Sequence, residues 1–117
     1  MGKLSTHVLD TAHGRPAARV VIALFVAEGD RWIPVTRALT NADGRTDAPL
    51  LTGDAVKPGR YRLCFAMGDY FRAAGMKLPD PAFVDVVTLD FGLAEAGGSY
   101  HVPLLASPWS WSTYRGS

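Results

Sequence analysis

Glycine and proline recur between short runs of β-branched, aromatic and aliphatic residues, and this punctuation restricts the fold more than any other feature of the chain. With 12 Gly and 8 Pro, it reads as many short strands joined by turns. LSTHVLD (Leu4 to Asp10) leads through the turn-rich TAHGRPA into RVVIALFVA (Arg19 to Ala27). EGDR closes a hairpin into WIPVTRALT (Trp32 to Thr40), and NADGR supplies a turn in which Gly44 takes a positive φ. RYRLCFAMGDY (Arg60 to Tyr70), AFVDVVTLDF (Ala82 to Phe91) and SYHVPLLA (Ser99 to Ala106) follow, and Pro108 breaks the chain before a last strand in WSWST. Turn spacings of about 8–12 residues predict an all-β, antiparallel sandwich of seven or eight strands. One helical segment is expected, YFRAAG, capped by Asp69 and stopped by Gly75.

At 117 residues the chain suits a single domain, residues 1–117, with one core. A net charge of +1 lacks the basic footprint of a nucleic-acid binder. Cys64 is the one cysteine, so no internal disulfide forms; within the apolar run YRLCFAM it reads as a buried, inert thiol. No apolar run approaches the ~20 residues of a membrane span, and the opening residues lack the apolar centre of a signal peptide. A soluble, cytoplasmic protein is expected.

Period-two alternation sorts the side chains. On the first strand Leu4, Thr6 and Val8 share one face, with Ser5, His7 and Leu9 on the other. On the strand from Ser99, Tyr100, Val102 and Leu104 oppose His101, Pro103 and Leu105. With the first trio of each strand in the core, His7 and His101 look outward together. In the last strand Trp109 and Trp111 are expected to pack inward, and Ser110, Ser112 and Tyr114 to face out. Imidazole is a general base near neutral pH, and a guanidinium such as that of Arg45 holds a developing oxyanion. His7, His13 and His101 match no zinc spacing, so no metal is expected, and His13 reads as an exposed turn residue. GGS at Gly97 to Ser99 is neither a nucleophile elbow nor a phosphate loop. Water activation is the chemistry left to test.

Three blocks, LSTHVLDTAHGRPA, TNADGRTD and YHVPLLASPWSWSTYRGS, resemble the 5-hydroxyisourate hydrolase family, the transthyretin-related enzymes of purine breakdown. They stand in the family's order and span the chain, and Tyr-Arg-Gly-Ser is the mark that separates the hydrolases from transthyretin hormone carriers. The resemblance implies a prealbumin-like sandwich with one short helix, assembled as a homotetramer, a dimer of dimers with active sites at the dimer–dimer interface. Carried over position by position, its catalytic residues fall on His7, Arg45 and His101, and its substrate-binding end on Tyr114, Arg115, Gly116 and Ser117. The implied reaction opens the six-membered ring of 5-hydroxyisourate to give 2-oxo-4-hydroxy-4-carboxy-5-ureidoimidazoline, without metal or organic cofactor. Either His7 or His101 serves as the base. Ser117, its terminal carboxylate and Arg115 would close the pocket, with Tyr114 as its floor. Ser110 stands where the family commonly has glycine and is expected to narrow the cavity mouth. A small-ligand carrier using the same channel, and a non-catalytic module like those in which GRPAARVVIALF and ADGRTD also occur, are the alternative classes.

Overall fold

The computed structural model describes residues 2–116. Among these, nine strands form two sheets: β1 (Lys3–Asp10), β2 (Arg15–Pro16), β3 (Val21–Glu28), β4 (Arg31–Leu39), β5 (Leu51–Thr52), β6 (Gly59–Ala66), β7 (Val86–Leu93), β8 (Ser99–Ala106) and β9 (Trp111–Thr113). Two of the nine span only two residues; the other seven are six strands of eight or nine residues and the three-residue β9. One sheet runs β2-β1-β8-β9 with β5 also on β1; the other runs β4-β3-β6-β7.

The sandwich is antiparallel with one exception, the β1–β8 pair, which is parallel. A hairpin would force neighbouring strands to run opposite ways. Here the chain passes through the whole second sheet between β1 and β8, so no tight turn dictates their direction. Their register sets Leu4 beside Tyr100, Thr6 beside Val102 and Val8 beside Leu104, all buried. Phe65, Ile22 and Leu24 of the facing sheet close the core. Thr6 is the polar member of this row, and its hydroxyl donates to the Val102 carbonyl at 2.7 Å, which removes the cost of burying it.

On the free edge of β1, β5 pairs at Lys3 and Leu4, and β2 pairs at Leu9 and Asp10. The turn carrying Arg45 fills the gap between them. Asn41 organises that turn: its side-chain oxygen accepts from the Asp43 and Arg45 amides, and Gly44 N–H donates to its carbonyl at 2.9 Å. Gly44 sits at φ +75°, with its backbone so close to the Val8 carbonyl that any Cβ would collide with it, so only glycine fits. The Val8 amide in turn donates to Gly44 O at 2.8 Å.

The helix, α1 (Met67–Ala73), begins two residues before the predicted cap. Asp69 lies inside its first turn; Ala66 holds the cap position without a side-chain bond, and the Met67 and Gly68 amides donate to the Asp85 carbonyl instead. A backbone acceptor thus does what a capping side chain usually does. Gly75, at φ +91°, ends the helix as expected. Cys64 is half-buried on the outer face of β6 near Thr88, not in the core, because its strand neighbours Leu63 and Phe65 take the inward parity.

The terminal aromatics are also more open than predicted: Trp109 is 59% and Trp111 44% exposed. β9 pairs Trp111 with Ala106 and Thr113 with Leu104, so Trp111 does point to the core side of its sheet. It lies at the sheet's edge, however, where the layers part into a cleft of about 350 Å³ between β7 and β9. Trp109 precedes the strand, in a turn closed by Ser107 N–H to Ser110 O at 2.8 Å, and packs on Phe83.

Candidate functional site

The outward face of the β1–β8 pair is where chemistry-bearing side chains gather. The parallel register puts Ser5 beside His101 and His7 beside Pro103, while the Arg45 turn bridges His7 on the other side. Side chains two residues apart on a strand share a face at about 6.6 Å, so Ser5 and His7 stand in one row with His101 flanking it. A polar hollow of about 270 Å³ opens here, lined by Lys3, Ser5, Arg45, Ser99, Tyr100 and His101.

Two features define its electrostatics. Lys3 and Arg45 line it, and among the described residues no carboxylate does, which favours an anionic ligand. The His101 imidazole is held below its ordinary range, first by burial and then by the positive charge of Arg45, His7 and Lys3. Each of these disfavours the imidazolium, so His101 stays neutral with a lone pair to offer at neutral pH.

His101 is tightly placed. Its Nδ1 lies 2.8 Å from Ser5 Oγ. On the other flank Gly116 bridges β8, its amide donating to the His101 carbonyl at 2.7 Å. A Cβ on Gly116 would come within 2.7 Å of His101 Cδ2. Glycine at this position is therefore a packing requirement of the imidazole.

His7, Arg45, His101 and Gly116 thus meet on one face, and the remaining predicted site residues do not. Arg115 lies on the opposite side of β8, its guanidinium 4.4 Å from the centre of the buried Tyr100 ring. Tyr114, 60% exposed, borders the cleft between β7 and β9. Ser117 lies outside the described residues. Ser110 bonds within its own turn to Ser107 and does not line the hollow. Lys3 and the pairing of Ser5 with His101 escaped the sequence reading. Strand parity puts Ser5 on the outward face, but no signal in the chain announces a register between strands about ninety residues apart.

His13 is exposed, as expected, and is also anchored. Its ring Nδ1–H donates to Asp10 Oδ2 at 2.6 Å and its amide to Asp10 Oδ1 at 2.9 Å; the Tyr70 hydroxyl donates to Oδ2 at 2.7 Å. This cluster sits at the far end of β1 from Lys3 and away from the hollow. A larger cavity of about 630 Å³, between the Arg15–Arg19 segment and α1, contains no histidine. No group of three or more His, Cys, Asp or Glu side chains is arranged to hold a metal among the described residues.

Comparison with known proteins gives a consistent result. The HIUase/Transthyretin family matches over residues 4–116. The chain is 61% identical over 117 residues to the 5-hydroxyisourate hydrolase of Ralstonia nicotianae, covering all of both chains. Among solved structures, the Klebsiella pneumoniae 5-hydroxyisourate hydrolase superposes with a TM-score of 0.82 at 36% identity, with full coverage of both chains. The transthyretin of Sparus aurata superposes with a TM-score of 0.86 at 27% identity, covering 99% of this chain and 97% of the other. Backbone shape does not separate enzyme from carrier, and the side chains on the outward face must do so.

Proposed function

The chain belongs to the HIUase/Transthyretin family, and from that premise we propose that it hydrolyses 5-hydroxyisourate to 2-oxo-4-hydroxy-4-carboxy-5-ureidoimidazoline in purine breakdown. The observation that carries this reading is that Arg45 and His101 line one cationic hollow, with His7 bridged to Arg45 on the same face. Water attacks the ring carbonyl, a histidine accepts its proton, and the cyclic amide C–N bond breaks as the departing nitrogen is protonated. Arg45 orients the anionic substrate and stabilises charge on the carbonyl oxygen. The neutral state of His101 suits it to take a proton from water. Gly116 and Ser117 form the substrate-binding end on this face, Tyr114 and Arg115 of the same protomer lying across β8 from it, and no metal or organic cofactor takes part.

The working form is a homotetramer, a dimer of dimers in the cytoplasm, with the outward β1–β8 face turned to the dimer–dimer interface. The reactive face would then be interior in the assembly, as a two-fold interface apposes one patch with its copy. Support comes from the wide exposure of aromatic side chains at the β9 edge, an arrangement typical of interaction surfaces. No described helix is long and apolar enough to cross a membrane.

The test is the ultraviolet absorbance of freshly generated 5-hydroxyisourate. Protein at catalytic concentration should collapse the signal well ahead of spontaneous decay; unchanged decay points to a carrier in place of an enzyme.

A further inference from the structure

We propose that Ser5 is a positioning residue which holds His101 in the Nδ1–H tautomer and leaves Nε2 as the nitrogen that receives the proton from water. This rests on the hydrolytic reading above and adds to it a choice of base, of nitrogen and of the group that enforces both.

Nδ1 and Cδ2 are the two ring atoms flanking Cγ, and both flanks of the His101 ring are occupied. Ser5 Oγ stands 2.8 Å from Nδ1, and the Gly116 backbone packs against the Cδ2 side. Only the apex, Cε1 and Nε2, remains for the hollow that His101 lines. Ser5 and His101 are register partners of a parallel strand pair, and both are half-buried, so the contact is fixed by the sheet and not by a mobile loop.

The Ser5 hydroxyl can accept from Nδ1–H or donate to Nδ1, and the proton transfer asked of the imidazole selects the first. A neutral ring carries one N–H, and which nitrogen bears it is set by the partner of the other. With Nδ1–H donating to Ser5 Oγ, Nε2 keeps its lone pair and accepts the proton from water. With the opposite assignment Nε2 would carry the hydrogen and have no basicity to offer. Ser5 thus resembles in role the acceptor that orients the histidine of a hydrolytic triad, but it does so without a charge. A carboxylate at this place would raise the histidine's affinity for protons; a hydroxyl orients the ring and leaves it neutral.

Nitrogen-15 NMR of histidine-labelled protein, combined with Ser5→Ala and Ser5→Thr, tests this directly. The wild type should show His101 with its proton on Nδ1. Ser5→Ala should move the population toward Nε2–H and lower kcat by about 10–100-fold with KM unchanged, whereas Ser5→Thr, which keeps the hydroxyl on a strand-compatible side chain, should restore both. A wild-type His101 protonated on Nε2, or Ser5→Ala with full kcat, overturns the proposal. A wild type that fails to accelerate 5-hydroxyisourate decay would instead remove the hydrolytic reading. The tautomer spectra of wild type and Ser5→Ala would still decide whether Ser5 sets the ring.

Discussion

Two histidine clusters are mounted on β1, and they are built in opposite ways. At its Asp10 end, His13 and Tyr70 both donate to a carboxylate that is 1% exposed. Toward its Lys3 end, His7 and His101 share an outward face with Lys3, Arg45 and a serine hydroxyl, and among the described residues no carboxylate lines the hollow beside His101. The first cluster is fully satisfied: every buried polar side-chain atom among the described residues has a partner. Such networks rigidify, and this one ties the loop after β1 to α1. Among the described residues the second cluster is under-neutralised, which costs stability but leaves an imidazole neutral and a guanidinium placed to meet an anion. Pairing a histidine with a carboxylate builds structure here; setting one among cationic side chains builds reactivity.

That contrast can be broken from either side. The largest effect is expected from His101→Asn or Arg45→Ala, each of which should cost about 10²–10⁴-fold in turnover with the thermal midpoint almost unmoved; activity assays on folded, sized protein check this. Next comes Gly116→Ala. Its methyl group must displace the His101 ring, and kcat should fall by about 10–100-fold while circular dichroism stays as in the wild type.

Asp10→Ala should behave in the reverse manner. It strands the buried Tyr70 hydroxyl and the His13 amide, so denaturant melts should show a loss of about 2–3 kcal/mol. Turnover per folded molecule should stay close to wild type. Equal loss of activity and stability in this variant would erase the distinction between the two clusters.

The pH dependences should also diverge. Burial pushes the Asp10 carboxyl up, but hydrogen bonds from the Tyr70 hydroxyl and from the His13 amide and ring, together with the charge of His13, outweigh it and hold the group below its ordinary 3.8. A depressed carboxyl adds stability that is fully present above 3.8 and lost as the pH falls below that value toward its folded pKa. His101 is depressed as well, from an ordinary 6.5. The unfolded chain therefore takes up the proton first, and stability declines as the pH drops below 6.5 toward the folded value. In the pH–rate profile, this predicts an acid limb that lies below 6.5, and an Asp10→Ala melt series that loses the wild type's steepening below 3.8.

How much of this the chain itself discloses depends on the reach of the signal. Strand parity is local, and it correctly sets Leu4, Thr6 and Val8 inward and Ser5 and His7 outward. Gly44 is legible because a tight turn needs its backbone freedom. Register is not local: the Ser5–His101 and His7–Arg45 juxtapositions depend on strands brought together from distant parts of the chain, as does the parallel sense of β1 and β8. Parity also says nothing about edges. Trp111 has the inward direction the alternation predicts, yet it stays 44% exposed because β9 lies beyond the closed part of the sandwich. The exposure of His13 is legible but its bond to Asp10 is not, since Asp10, an ordinary strand-end residue in the sequence, becomes a buried acceptor only once α1 delivers Tyr70. Arg115 has the parity of Tyr100 and Val102 through the bridge that pairs Gly116 with His101, and a motif read as one contiguous block conceals that its members lie on both sides of a sheet.

The most direct test of the central claim is the rate of 5-hydroxyisourate decay with His101→Asn and with Asp10→Ala, each normalised to folded protein. The predicted result is near-spontaneous decay with His101→Asn and near wild-type acceleration with Asp10→Ala. Full acceleration by folded His101→Asn would contradict the assignment of catalysis to the cationic face that carries His101.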